Sequence, residues 1–327
     1  MPLAEGYDLA MLDLDGVVYI GGDAVPGAAE HLGAARAAGL RIAFITNNAS
    51  RTPEQVALHL RELDVDAAAS DVVTSAQAAA RLLAERFGAG ARVVCLGAEG
   101  LDQALRASGL EPVDAEEDAA AIATGYGPDV PWHAIMRAAV RIRDGLPWVA
   151  SNTDHTFPAA FGVAPGHGVQ VEMLRNFTGV EPVVAGKPAR PLLDESIRRV
   201  GGRRPLMVGD RLDTDIEGAN AADIDSLLVL TGVTGLAELA RARGELRPTY
   251  VATDLHGLLE PQPAPQDAAG ARRLGGWSGT VDDGRLEVTG AGSAGDWWRV
   301  AAVTAWQHLD ATGEPADLAA ATPPSDG

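Results

Sequence analysis

The sequence predicts an α/β protein. A doubly wound parallel sheet is interrupted by an inserted α/β unit and followed by a small β-hairpin plus helix unit. Three observations predict it. Short apolar runs alternate with helical stretches at the spacing of βαβ units, the sign of a parallel sheet. The alternation restarts near residue 90 and returns to apolar strand-like runs from residue 183. An extended stretch, Glu260-Pro261-Gln262-Pro263-Ala264-Pro265, then sets off a last segment as a linker does.

In chain order, the apolar run 8–14 reads as a buried strand, and it delivers Asp13 and Asp15 at its carboxyl end. Gly16 lets the chain turn away. Pro26-Gly27 opens a helix that runs to about Ala38, with Gly39 as a left-handed cap. Residues 41–45 form a strand that ends in Thr46-Asn47-Asn48, and Thr52-Pro53 starts the next helix. Residues 72–74 are a strand and 76–87 a helix. Strands at 92–96, 119–124 and 148–152 then alternate with helices at 99–108 and 131–144. A Gly/Pro-rich loop is expected over 156–168, and a helix over 170–178. Strands at 183–188, 205–210, 226–230 and 250–252, with a helix at 191–200, complete the sheet. Beyond the linker, 276–290 reads as a hairpin turning at Asp282-Asp283-Gly284. Residues 295–310 read as a helix with Trp298, Ala302, Ala305, Trp306 and Leu309 on one face. That face either binds a membrane surface or packs on its own hairpin or another subunit, and scarce basic residues favour packing. The expected domains are a core of 1–80 and 181–260, an insertion of 81–180, a linker of 261–270, an appendage of 271–312 and a disordered tail of 313–327.

Composition narrows the partners. Acids outnumber bases 45 to 26, a net charge of −19, which argues against nucleic acid and anionic membranes. Cys95 stands alone, so no intrachain disulfide forms. No signal peptide or long apolar span is evident, so a cytoplasmic location is expected. Among the 26 basic residues, Lys187 is the one lysine.

Four stretches each end a strand of one predicted sheet: Asp13-Leu14-Asp15, Thr46-Asn47-Asn48, Gly186-Lys187-Pro188, and Gly209-Asp210 with Asp213 and Asp215. In open α/β sheets the carboxyl ends of the strands form the binding crevice. Clustered carboxylates suit a hard cation such as Mg²⁺. A lysine, a hydroxyl and backbone amides suit phosphate. Cation plus clamp is the equipment of phosphoryl transfer. Taken alone, the first pair of acids reads equally well as solvated residues at a strand end.

These four stretches, in this order, resemble the four motifs of the haloacid dehalogenase (HAD) superfamily over residues 8–260. The Thr-Asn-Asn second motif and the Gly-Asp-Arg-Leu-Asp-Thr-Asp fourth motif look like its NagD-like, class IIA phosphatase branch. The resemblance implies Asp13 as nucleophile and Asp15 as acid/base. It implies Thr46, Asn47, Asn48 and Lys187 around the phosphate. Mg²⁺ would be held by Asp13, the Asp15 carbonyl and Asp210, with Asp215 orienting a metal-bound water and Asp213 as a loop or helix-capping residue. Asp15 points to a phosphatase, because dehalogenases of the superfamily lack an acid there. Thr46 lies only 33 residues after Asp13, whereas 141 residues separate it from Lys187, so the cap falls in the second interval. Its substrate-facing stretch is expected at Ser151–Pro158. Phe157 is the specificity residue before the proline, His155 its polar alternative, and Asn152 and Asp154 either face substrate or tie down the loop. The tryptophan-bearing tail resembles that of the actinobacterial glycerol 3-phosphate phosphatases, in which it looks like part of an acetyltransferase (GNAT) fold. About 55 residues are too few for a complete one. The expected function is Mg²⁺-dependent hydrolysis of a small phosphorylated metabolite, glycerol 3-phosphate first. Phosphoglycolate, a sugar phosphate or a nucleotide are the alternatives, and a catalytically silent scaffold a further one. A homo-oligomer would form through the cap or the C-terminal unit.

Overall fold

The computed structural model describes residues 1–159, 162–268 and 270–324. It falls into two compact units, one of residues 1–20, 24–41 and 203–327, the other of residues 21–23 and 42–202.

In the first unit four parallel strands lie in the order Tyr250–Ala252, Asp225–Val229, Pro205–Gly209, Leu9–Leu12. Leu9, Ala10, Met11 and Leu12 are all fully buried, as are Leu206, Met207 and Val208. Continuous apolar runs are what strands covered on both faces require. Leu12 pairs with Val208, and the Asp13 N–H donates to the Val208 carbonyl at 2.9 Å. The chain therefore leaves both strands at one end, carrying Asp13 from one and Asp210 from the other.

The same unit holds the C-terminal region, and here several expectations need correction. The hairpin is part of a four-stranded antiparallel sheet, Gln266–Ala268, Ala271–Leu274, Trp277–Asp282 and Arg285–Gly290, so pairing begins inside the expected linker. The helix Ala294–Thr312 is apolar on two sides rather than one. Trp297, Ala301 and Ala305 pack with Leu286 of that sheet. Trp298, Ala302 and Trp306 pack with Leu228, Leu239 and Val251 of the parallel sheet and its flanking helix. A helix clad on both sides is a core helix, which removes the membrane-surface reading. No helix among the described residues is long and apolar enough to cross a membrane. The expected disordered tail is ordered through residue 324, and 325–327 lie outside the described residues. Leu286 N–H donates to Asp317 O at 2.9 Å, Asp317 N–H to Gly284 O at 2.8 Å, and Ala316 and Ala321 are buried with Trp297. Small polar and alanine-rich composition concealed this segment, because its order comes from the sheet edge it joins.

In the second unit the strand Arg41–Thr46 runs parallel to Val72–Thr74, with Thr46 opposite Thr74. Each is followed by a capping box: Thr52 and Gln55 begin the helix Pro53–Glu62, and Thr74 and Gln77 begin Ser75–Phe87. A five-stranded parallel sheet follows in the order Val183–Val184, Trp148–Ala150, Ala121–Thr124, Arg92–Leu96, Glu111–Val113. The segment expected as a loop over 156–168 is a two-stranded ribbon, Thr156–Ala159 against Gly162–Pro165, and the next helix starts early, at His167. Pro158 and Pro165 hid the ribbon in the sequence. Both strands of a lone ribbon are edges, where a missing N–H is tolerated.

Candidate active site

The first unit assembles an acidic cluster. One carboxylate oxygen each of Asp13, Asp210 and Asp215 lies within 4.8 Å of the others. Asp210 is 0% exposed and Asp215 1%. Asp210 Oδ2 accepts from the Val233 N–H at 2.7 Å. Glycine makes room for it. A Cβ on Gly16 would stand 2.5 Å from Asp210 Oδ2, and one on Gly232 would stand 2.0 Å from it. Gly16 also has φ +85°, open to glycine at little cost, and Thr231 Oγ1 donates to its carbonyl at 2.5 Å.

Asp215 enters the cluster through a π-type turn at Leu212–Ile216, in which the Ile216 N–H reaches back to the Arg211 carbonyl at 3.2 Å. Such turns are frequent at functional sites. Asp215 Oδ2 accepts from the Arg211 N–H at 3.1 Å, and a Cβ on Gly209 would stand 2.2 Å from that same oxygen. Asp213 lies outside, exposed and paired with the Arg211 guanidinium at 2.9 Å. Asp15 is exposed, and its backbone bridges to Tyr19. Three hard oxygen donors, two of them buried, fit a divalent cation such as Mg²⁺, with Asp13, Asp210 and Asp215 as the available side chains.

The second unit gathers the phosphate-binding candidates. Thr46 and Asn47 are buried, and Lys187 is 2% exposed. Thr46 Oγ1 accepts from the Asn48 N–H at 3.1 Å. The Asn48 side chain turns to Ser50, accepting from its N–H at 2.8 Å and its hydroxyl at 2.7 Å. That is a local turn. Asn47 Oδ1 accepts from the Lys187 N–H at 2.8 Å, and Asn47 Nδ2 donates to the Lys187 carbonyl at 3.0 Å.

Of the expected substrate stretch, Asn152 is buried and donates to the Asn47 carbonyl at 2.6 Å. Asp154 Oδ1 accepts from Asn47 Nδ2 at 3.0 Å, and its N–H donates to Asn152 Oδ1 at 3.1 Å. Both side chains are thus hydrogen-bonded to Asn47. His155 is exposed and stands 3.7 Å from Glu172. Phe157 packs edge-on against Tyr126 with ring centroids 5.0 Å apart. Sequence reasoning missed Tyr126, Gly232, Thr231 and Ser75, whose hydroxyl donates to the Asn47 carbonyl at 2.6 Å. Ser75 had a signal, since it follows the cap residue Thr74 of a Thr-x-x-Gln box.

Two family models match the chain, a haloacid dehalogenase-like hydrolase over residues 10–111 and a HAD-hydrolase-like model over 184–258. The D-glycerol 3-phosphate phosphatase of Mycobacterium tuberculosis is 44% identical over 291 residues, 86% of this chain and 82% of that protein.

The chain belongs to the haloacid dehalogenase-like hydrolases.

It is a phosphatase of that family. The acid sugar phosphatase of Staphylococcus saprophyticus is 33% identical over 258 residues, 78% of this chain and 98% of that one. A crystal structure of the M. tuberculosis glycerol phosphate phosphatase in complex with magnesium superposes with a TM-score of 0.85 at 41% identity, covering 94% of this chain and 92% of that one. The HAD-like fold thus accounts for both match regions, which carry the acidic motifs and the Thr46 and Lys187 stretches.

Proposed function

We propose that this phosphatase hydrolyses glycerol 3-phosphate through a phosphorylated Asp13, with Mg²⁺ as cofactor. The observation that carries the chemistry is the convergence of Asp13, Asp210 and Asp215 within 4.8 Å. The substrate is supported by the 44% identity to a D-glycerol 3-phosphate phosphatase. Bound Mg²⁺ would supply charge neutralisation for the phosphoryl group. Asp13 attacks phosphorus as a carboxylate nucleophile. Asp15 gives its proton to the leaving alkoxide and then takes one from the attacking water. Thr46 and the Asn47 backbone amide hold the transferring phosphoryl group, and Lys187 balances its charge. Residues 81–180 serve as the cap that contacts the leaving group. The 33% identity to an acid sugar phosphatase supports a sugar phosphate as the second reading.

The test is a panel of phosphomonoesters with and without Mg²⁺, glycerol 3-phosphate among them, together with two variants. Asp13→Asn should form no labelled phosphoenzyme. Asp15→Asn should still form some from p-nitrophenyl phosphate, whose leaving group needs no proton. Phosphoenzyme in Asp13→Asn would overturn the nucleophile, and a higher kcat/KM on a sugar phosphate would overturn the substrate.

A further inference from the structure

We infer that Asn47 is a positioning residue for this reaction: its side-chain amide fixes the backbone of Lys187 and the carboxylate of Asp154 together. One group therefore sets both the phosphate-binding lysine and the loop expected to face the leaving group. The inference rests on the phosphatase reading for its kinetic consequences, and on geometry alone for the tie itself.

Asn47 is 8% exposed. A primary amide offers one acceptor oxygen and two N–H donors. Here the oxygen takes the Lys187 N–H at 2.8 Å, and the nitrogen gives to the Lys187 carbonyl at 3.0 Å and to Asp154 Oδ1 at 3.0 Å. The lysine backbone presents a donor and an acceptor side by side, so only this orientation of the amide satisfies it. The partners lie 140 and 107 residues away in sequence. The Asn47 backbone carbonyl closes the ring, accepting from Asn152 Nδ2 and Ser75 Oγ, both at 2.6 Å. Asn152 in turn accepts from the Asp154 N–H at 3.1 Å. Glycine clears the way at both ends. A Cβ on Gly186 would stand 2.6 Å from Asn47 Oδ1, and one on Gly168 would stand 2.2 Å from the Thr153 carbonyl. The Gly168 N–H holds the Asp154 carbonyl at 2.8 Å. Removing the amide takes two hydrogen bonds from the Lys187 backbone and one from Asp154, and a misplacement of about 1 Å costs roughly 10²-fold in rate.

The experiment compares the parent protein with Asn47→Asp, Asp154→Asn and the double variant. Asn47→Asp keeps the size and the acceptor, removes the donor, and sets a second carboxylate against Asp154. It should lower kcat/KM for p-nitrophenyl phosphate by roughly 10²-fold and weaken competitive inhibition by inorganic phosphate. It should also lower the melting temperature. Asp154→Asn restores a donor opposite the new carboxylate, so the double variant should regain melting temperature and part of the activity relative to Asn47→Asp. A folded Asn47→Asp with kcat/KM within twofold of the parent overturns the kinetic role. Purely additive losses in the double variant overturn the tie. Melting temperatures need no turnover, so the tie is decided even if the parent hydrolyses no phosphomonoester, an outcome that sinks only the functional reading. If Asn47→Asp does not fold, the cycle of Asn47→Ala and Asp154→Ala replaces it. The double variant should then lose less melting temperature than the two single losses added together, and additive losses overturn the tie.

Discussion

Arg247 grips Asp310 with two parallel hydrogen bonds of 2.7 Å each, across 63 residues of sequence. The same guanidinium lies over the Trp306 ring, 5.3 Å from its centroid. Trp306 Nε1 donates to the Leu239 carbonyl at 2.6 Å, and Arg299 Nε donates to the Val251 carbonyl at 3.2 Å. The C-terminal helix is thus bolted to the helix and strand that edge the parallel sheet.

Deleting residues 261–327 would uncover Leu228, Leu239 and Val251, which are now buried. The 1–260 fragment should melt about 10 °C or more below the full chain, or aggregate. Trp306→Ala alone should cost about 2–4 kcal/mol, from lost packing and an orphaned carbonyl partner. Because all four motifs precede residue 260, whatever fragment stays folded should still turn over p-nitrophenyl phosphate. Calorimetry beside a specific-activity assay checks both statements. A fragment as stable as the parent would mean that the helix caps nothing.

Gly232→Ala should weaken the metal site without replacing a ligand. A Cβ at this position would stand 2.0 Å from Asp210 Oδ2 and must push the carboxylate aside. Disturbing the support of a metal ligand typically costs 10–100-fold in affinity. The Mg²⁺ concentration for half-maximal activity should rise by about tenfold, with a modest loss of melting temperature. An unchanged Mg²⁺ requirement would show that Asp210 tolerates the shift.

Lys187→Arg should be nearly inactive although it keeps the charge. Lys187 is almost fully buried, and its backbone is pinned on both sides by Asn47. An ammonium is a compact point charge, whereas a guanidinium is a wide planar fork that needs more room. The chain uses arginine at every other basic position, 25 of 26, so a retained lysine here is informative. A fall of about 10²-fold in kcat/KM, with the fold intact, is the expected result. Activity within a few-fold of the parent would mean that charge alone suffices.

His167 should make the protein acid-sensitive. Burial pushes its pKa down to about 4, and its Nε2 stands 3.2 Å from the Thr124 hydroxyl. The unfolded chain titrates near 6.5. Between the two values the unfolded state binds the extra proton, so this contribution is complete above about pH 6.5 and lost as pH falls toward 4. Its size is about 3 kcal/mol. Urea midpoints from pH 7.5 to 4.5 should fall more steeply in the parent than in His167→Gln. Parallel profiles would refute the assignment.

Much of this was legible in local sequence. An apolar run followed by an acid, a Thr-Asn-Asn or a Gly-Lys-Pro needs only its own neighbours to be read as a strand end. The capping boxes at Thr52 and Thr74 announce their helices the same way. What lay beyond reach depends on distant partners. Asp213 and Asp215 are two residues apart and chemically alike, yet a π-type turn sends one to the acidic cluster and leaves the other on Arg211. Asn152 and Asp154 read from the sequence either as substrate-facing or as loop-tying, and their hydrogen bonds to Asn47, about a hundred residues earlier, appear only in the fold. The tryptophan helix declared one apolar face by its period. Its second face became visible only when two sheets were seen to flank it. Periodicity and motif spacing record what a residue's neighbours in sequence require, and they determined the strands, the helices and the inventory of chemical groups. Which carboxylate meets which, and which amide holds the lysine, are decided by hydrogen bonds that form only once the chain has closed on itself.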